Sequence, residues 1–147
     1  MGRYYSNYRT PLVVVNGNLT AQQYITEVLQ AHVVPFLQHH PDVTVFQQDN
    51  ARPHEARVTC HFLLAQGVNV LPWPAYSPDL SPVEHLWDYL GRHVANRIPR
   101  PRNRNQLVQV LLDGWRQMPQ DRIRRLIRSM RRRLISCVQA EGGHIRC

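Results

Sequence analysis

Residues 43–90 read VTVFQQDNARPHEARVTCHFLLAQGVNVLPWPAYSPDLSPVEHLWDYL. The stretch opens on an apolar, β-branched run that reaches an acid, Asp49. An amphipathic segment follows, then a second apolar run over 68–71. A loop stiffened by Pro72, Pro74 and Pro78 comes next, and Glu84 stands in the first turn of a new helical pattern. Short apolar runs on either side of a helical segment read as strand–helix–strand, with the strands buried on both faces as in a parallel sheet. Thirty-four residues separate the two acids. A carboxylate at a strand end and another at a helix start can converge on a divalent ion, because hard cations take oxygen ligands.

Both acids also have purely structural readings. Asp49 or Asn50 suits the N-cap of the helix that begins near Arg52. Ser81, Pro82 and Glu84 spell a capping box with proline at the first helical position. His54 is either a helix-start residue beside the acidic site or an ordinary exposed histidine, and its type alone favours the second. Cys60 and His61 lack further ligands at zinc spacing.

Upstream, residues 1–10 carry tyrosine and arginine without periodicity and read as a loose arm. Residues 12–15 read as a strand stopped by the turn Asn16-Gly17-Asn18. Thr20 and Gln23 make a second capping box. It opens a helix with Tyr24, Ile25, Val28, Leu29, His32 and Val33 on one face, expected to stop near Val34 because Pro35 disfavours helix before it. His39, His40 and Asp42 read as loop. After Asp49 the helical inner face is Ala56, Cys60, Leu63 and Leu64, with Gly67 as the cap beyond it.

Downstream, Leu86, Trp87, Leu90 and Val94 share a face of the helix that Glu84 begins, and Pro99 and Pro101 end it. A Pro/Arg connector leads to a helix capped by Asn103 or Asn105, with Val108, Leu111, Leu112 and Trp115 inward. Pro119 opens the last helix, striped by Ile123, Leu126, Ile127, Met130 and Leu134 and ended by Gly142-Gly143. Arg122, Arg124, Arg125, Arg128, Arg131, Arg132 and Arg133 fill the rest of it. Seven arginines with no acid between them read either as a solvated face or as phosphate contacts.

Composition agrees with a nucleic-acid partner. The 147 residues amount to one domain, and the net charge of +8 is supplied by arginine alone, for the chain contains no lysine. Arginine's planar fork matches phosphate geometry. An acidic protein or an anionic membrane surface would also satisfy the charge. Three cysteines, Cys60, Cys137 and Cys147, form no CxxC pair, which suits a reducing intracellular compartment. No apolar run is long enough to span a membrane, and no membrane partner is expected.

The motifs FQQDNARPH over 46–54 and WPAYSPDLSPVEHLW over 73–87 resemble the two signature blocks of Tc/mariner-type transposases, whose Asp-Asp-Glu site stands on an RNase H-like fold. The 34-residue spacing is that of the Tc branch, and NGNLTA over 16–21 and the tail from Ser129 to His144 are similar to it as well. The resemblance runs from about Pro11 to the end of the chain. It implies an α/β RNase H-like domain over 11–98, after a loose arm over 1–10, with arginine-rich helices of the same domain over 99–147. Asp49 then matches the second acid and Glu84 the third. Both are expected as catalytic metal ligands for Mg2+ or Mn2+ in DNA strand cleavage and transfer, the chemistry of transposition and integration. DNA, a second transposase chain and the nucleus are the implied partners and location.

In that family the first acid lies on the first strand, far upstream of the second. Only 48 residues precede Asp49, and Asp42 sits in a turn. The expectation is therefore a truncated domain, inactive alone, with an exposed strand edge. Two alternatives stand beside it: a non-catalytic nucleic-acid-binding remnant acting through the arginine-rich helix, and a transposon fossil that does not fold cooperatively.

Overall fold

The structure, a computed structural model, describes residues 8–140. They divide into two compact units, one over 9–76 and one over 77–140 that also takes Tyr8. The first seven residues of the expected arm and the Gly142-Gly143 helix stop lie outside the described residues.

The unit over 9–76 is built on a helical run starting at Thr20. The Thr20 hydroxyl accepts from the Gln23 backbone N–H, and the Gln23 side chain accepts from the Thr20 N–H, so the expected capping box is formed. The run comprises α1 (Ala21–Gln23), a π-helical stretch (Tyr24–Val33) and α2 (Val34–His39). It continues past Val34, contrary to expectation. Pro35 sits in the first turn of α2, where the register changes from π to α and a missing N–H is tolerated. Tyr24, Ile25 and Leu29 are buried with Leu63, and Val28, Val33, Phe46, Phe62, Val68 and Val70 pack around them. Burying a leucine such as Leu29 completely contributes about 2 kcal/mol.

After the Asp49 turn come α3 (Arg52–Glu55) and α4 (Arg57–Ala65), broken at Ala56, whose backbone is extended at ψ 137°. Leu63 points inward as expected, but Leu64 is 78% exposed and Cys60 is exposed too. Thr59, fully buried, takes the inner position instead, its hydroxyl donating to the Pro53 carbonyl at 2.7 Å. The break at Ala56 restarts the helix and rotates its face. Gly67, at φ +66°, ends α4 in the left-handed conformation that glycine adopts without penalty.

The expected strands are reduced to one contact. Among the described residues there is no strand, only a parallel bridge between Phe46 and Val70. Phe46 donates its N–H to Asn69 and accepts from Leu71, each at 2.8 Å. The runs over 43–46 and 68–71 are therefore neighbours in the expected parallel sense, while residues 12–15 form no ladder. A parallel pair without flanking strands is marginal. Val45 and Leu71 are accordingly 44% and 42% exposed, against the expectation of burial on both faces.

The unit from residue 77 is helical: a single 3-10 turn (Pro78–Leu80), α5 (Pro82–Ala95), α6 (Arg104–Gln117) and α7 (Gln120–Gln139). Asn103 caps α6 by accepting from Gln106 N–H at 2.9 Å. Leu80, Leu86, Leu90, Val110, Met118 and Ile123 form its buried set. α5 packs with both α6 and α7, so the Pro/Arg connector after α5 joins helices of one unit. α6 buries Val110 and Gly114 rather than Val108 and Leu111. Along α7, Leu134 is 45% exposed and Arg133 is buried in its place.

Candidate metal-ligand and nucleic-acid site

Asp49 ends the run that carries the Phe46–Val70 bridge and begins the turn into α3. The N-cap of α3 is Ala51, with no side-chain cap, so neither Asp49 nor Asn50 plays that part. Asp49 Oδ1 accepts from the Ala51 N–H at 3.1 Å and faces His54 Nδ1 at 2.6 Å. Its Oδ2 makes no hydrogen bond or ion pair with any described residue, and the side chain is 62% exposed. Asn50 turns away and donates to the Trp73 carbonyl at 3.0 Å, tying this turn to the proline-rich loop.

His54 is not an ordinary exposed histidine. Its side chain is 18% exposed, and its ring lies 4.2 Å, centroid to centroid, from that of Tyr24. Tyr24 donates its hydroxyl to Gln48 Oε1 at 2.8 Å, and Gln48 Nε2 reaches the His54 carbonyl at 3.4 Å. Burial first, and the nearby Asp49 carboxylate second, hold the Tyr24 phenol well above its ordinary range, so it is a neutral donor at any physiological pH. The sequence signal for this cluster was the Asp49-to-His54 spacing across a turn; the part of Tyr24, on another helix, had none.

Glu84 stands in the first turn of α5. Ser81 is the N-cap, but its side chain makes no cap hydrogen bond, so the expected capping box is not formed. The Glu84 carboxylate is exposed and unpaired among the described residues. Asp49 and Glu84 belong to different compact units. Among the described residues no group of three His, Cys, Asp or Glu side chains forms a metal cluster.

The seven arginines of α7 separate into three kinds. Arg133 is 6% exposed and donates to the Asp79 carbonyl at 3.3 Å, bracing the 3-10 turn. Arg122 lies over the Tyr89 ring at 4.3 Å, and Arg124 pairs with Asp121 at 2.9 Å. Arg125, Arg128, Arg131 and Arg132 are exposed, with no acidic partner among the described residues. Arg92, which the sequence reading did not single out, and Arg97, which it placed in the Pro/Arg connector, line an open groove of about 490 Å3 with Tyr89, His93, Asn96 and Arg122.

Comparison with known proteins identifies relatives of the chain. A family model described as DDE superfamily endonuclease matches residues 1–108. The Tc3 transposase of Caenorhabditis elegans is 32% identical over 145 residues, covering 98% of this chain and 44% of that protein. The Tcb2 transposase of Caenorhabditis briggsae is 40% identical over 98 residues, or 67% of this chain and 35% of the relative. The chain thus spans less than half the length of these curated relatives. Among solved structures, the Mos1 transposase catalytic domain with Raltegravir and Mg superposes with a TM-score of 0.75 at 28% identity, covering 89% of this chain and 67% of that one. The Mos1 mariner paired end complex with Mn gives 0.75 at 27% identity, covering 89% and 39%. No helix among the described residues is long and apolar enough to cross a membrane.

Proposed function

The chain belongs to the DDE superfamily endonucleases, and from that premise we propose that it contributes to metal-dependent cleavage and joining of DNA strands in transposition. Asp49 and Glu84 act as the second and third acids of the site, in the nucleus, on DNA held with a second transposase chain. The observation that carries this reading is the family match across both signature blocks. The free Glu84 carboxylate supports it, because helix capping does not account for that side chain. The likeness to the Mos1 catalytic domain supports an RNase H-like α/β fold, to which the parallel Phe46–Val70 pairing is suited.

The donor chemistry fits a hard divalent ion. Asp49 Oδ2 and the Glu84 carboxylate are oxygen donors with no partner among the described residues, the kind Mg2+ and Mn2+ select. Such an ion, when bound, supplies Lewis-acid stabilisation of charge at the phosphodiester. Known Mos1 structures with Mg and with Mn agree with that choice of metal. The chain's own contribution is to fix Asp49 Oδ1 within the turn, to offer Oδ2 and Glu84 outward, and to meet phosphates with Arg125, Arg128, Arg131 and Arg132. The Mos1 paired-end complex with the left transposon end and the Mos1 strand transfer complex support DNA as the partner.

Nicking of supercoiled DNA in Mn2+ tests the reading, with Asp49→Ala and Glu84→Ala beside the unaltered chain and cooperative unfolding checked on the same samples. Activity lost in both variants supports it, and activity indifferent to both overturns it. A cooperatively folded chain that binds DNA without nicking it favours the second reading, a nucleic-acid-binding module acting through α7. The four exposed arginines of that helix, without acidic partners among the described residues, favour this module. Failure to unfold cooperatively points to a transposon fossil.

A further inference from the structure

We propose that His54 is a positioning residue for Asp49: its Nδ1–H holds Oδ1 in the turn, so that Oδ2 is the carboxylate oxygen presented to the divalent ion. The inference rests on the reading of Asp49 as a metal-binding acid.

His54 Nδ1 lies 2.6 Å from Asp49 Oδ1 and 3.3 Å from the Asp49 backbone carbonyl, which can only accept, so we assign the proton to Nδ1. The Ala51 N–H at 3.1 Å is a second donor to the same oxygen. Two donors on Oδ1 and, among the described residues, none on Oδ2 break the symmetry of the carboxylate, favouring ligation through one oxygen over a chelate. The arrangement is braced at the imidazole ring and at the backbone that carries it. The Tyr24 ring lies 4.2 Å away and limits rotation of the imidazole plane. The His54 carbonyl accepts from Gln48 Nε2, and the buried Thr59 hydroxyl fixes the preceding Pro53 carbonyl. A histidine that served only to fill space would need no such bond to a largely exposed acid. Partners that orient a metal-binding carboxylate set how much freedom it loses on binding, and their removal typically weakens metal affinity about 10–100-fold.

The test is Mn2+ binding to the full chain, followed by the electron paramagnetic resonance of the free ion, for the unaltered protein and for Asp49→Ala, His54→Ala and His54→Asn. Asparagine places an amide N–H on Cγ, where histidine carries Nδ1. The expected order is loss of site binding in Asp49→Ala, a weakening of about 10–100-fold in His54→Ala, and recovery of most of that loss in His54→Asn. Metal-free protein gives an independent readout, the 15N shifts of the His54 ring. They are expected to report the Nδ1-protonated tautomer, and to change in Asp49→Ala. Unaltered affinity in His54→Ala beside lost binding in Asp49→Ala overturns the role of His54 and leaves Asp49 as a ligand. Unaltered binding in Asp49→Ala overturns the reading of Asp49 and the positioning role together. An Nε2-protonated ring in the metal-free chain, or an asparagine variant as weak as the alanine one, overturns the hydrogen bond as the cause.

Discussion

Gly114 of α6 lies so close to His93 of α5 that a β-carbon on it would stand 2.9 Å from His93 Cδ2 and 3.1 Å from Leu90 Cδ2. Glycine at this position sets how closely the two helices approach and which face of α6 is buried. Gly114→Ala therefore overpacks the contact by about 2 kcal/mol while returning about 1 kcal/mol of helix propensity, for a net loss near 1 kcal/mol. Urea unfolding should show a lower midpoint for Gly114→Ala and a recovery in the His93→Ala/Gly114→Ala double variant. Equal midpoints for the unaltered and single-variant proteins would mean that the helices do not meet there.

The two capping sequences look alike and behave differently. Thr20 and Gln23 make both bonds of a capping box, whereas the Ser81 side chain caps nothing. Thr20→Ala should cost about 1 kcal/mol, the usual loss for an N-cap. Ser81→Ala and Glu84→Gln should each leave the unfolding midpoint almost unmoved, and a loss in Ser81→Ala equal to that of Thr20→Ala would contradict the observed geometry.

These contrasts mark where the sequence was legible. Local signals held: the Thr20 cap, the Asn103 cap, the Gly67 stop and the helices around Leu29, Leu90 and Ile123. So did the adjacency of the runs at Phe46 and Val70, since their pairing requires only the αβ connection between them. Other local signals failed, the Ser81 box and the stop at Pro35 among them, and the remaining failures depended on partners distant in sequence. Whether an apolar run becomes a ladder is decided by neighbouring strands, and Val45 shows the consequence by its exposure. The buried face of α6 was set by Gly114 against His93, a contact no periodicity reports. Arg133 reads as one more surface charge until the Asp79 carbonyl is seen to receive it. In the candidate site, Asp49 and Glu84 were visible as acids in signature blocks, but the bracing of Asp49 by His54 and Tyr24 was not, because Tyr24 reaches the cluster from another helix.

Tyr24 gives the fold a pH dependence of definite sign. Its phenol is held above the ordinary value of about 10, chiefly by burial and secondarily by the Asp49 carboxylate. The folded state thus keeps its proton after the unfolded chain has lost it. The contribution is complete below about pH 10 and falls as pH rises from there through the higher folded-state value. Denaturant midpoints measured from pH 8 to 11.5 should decline above about pH 10. In Tyr24→Phe that decline should be shallower, after a loss at neutral pH of about 1–2 kcal/mol from the Gln48 Oε1 left without its donor. An unchanged alkaline slope in the phenylalanine variant would assign the decline to other groups.

The arginines of α7 should separate by what they touch. Replacing Arg125, Arg128 and Arg132 with glutamine removes exposed charges that have no acidic partner among the described residues and should leave stability nearly intact. If these three meet phosphates, DNA affinity falls and the slope of log K against log salt drops by about 2–3, close to one unit for each neutralised contact. Arg133→Gln should do the reverse. Its guanidinium is buried against the Asp79 carbonyl, so the variant should lose about 1–3 kcal/mol of stability with the salt slope unmoved. Salt-dependent DNA binding and thermal unfolding on the same two proteins decide it. A triple variant with unaltered slope would leave α7 as a solvated helix, and an Arg133 variant that changes only the slope would place that residue on the DNA.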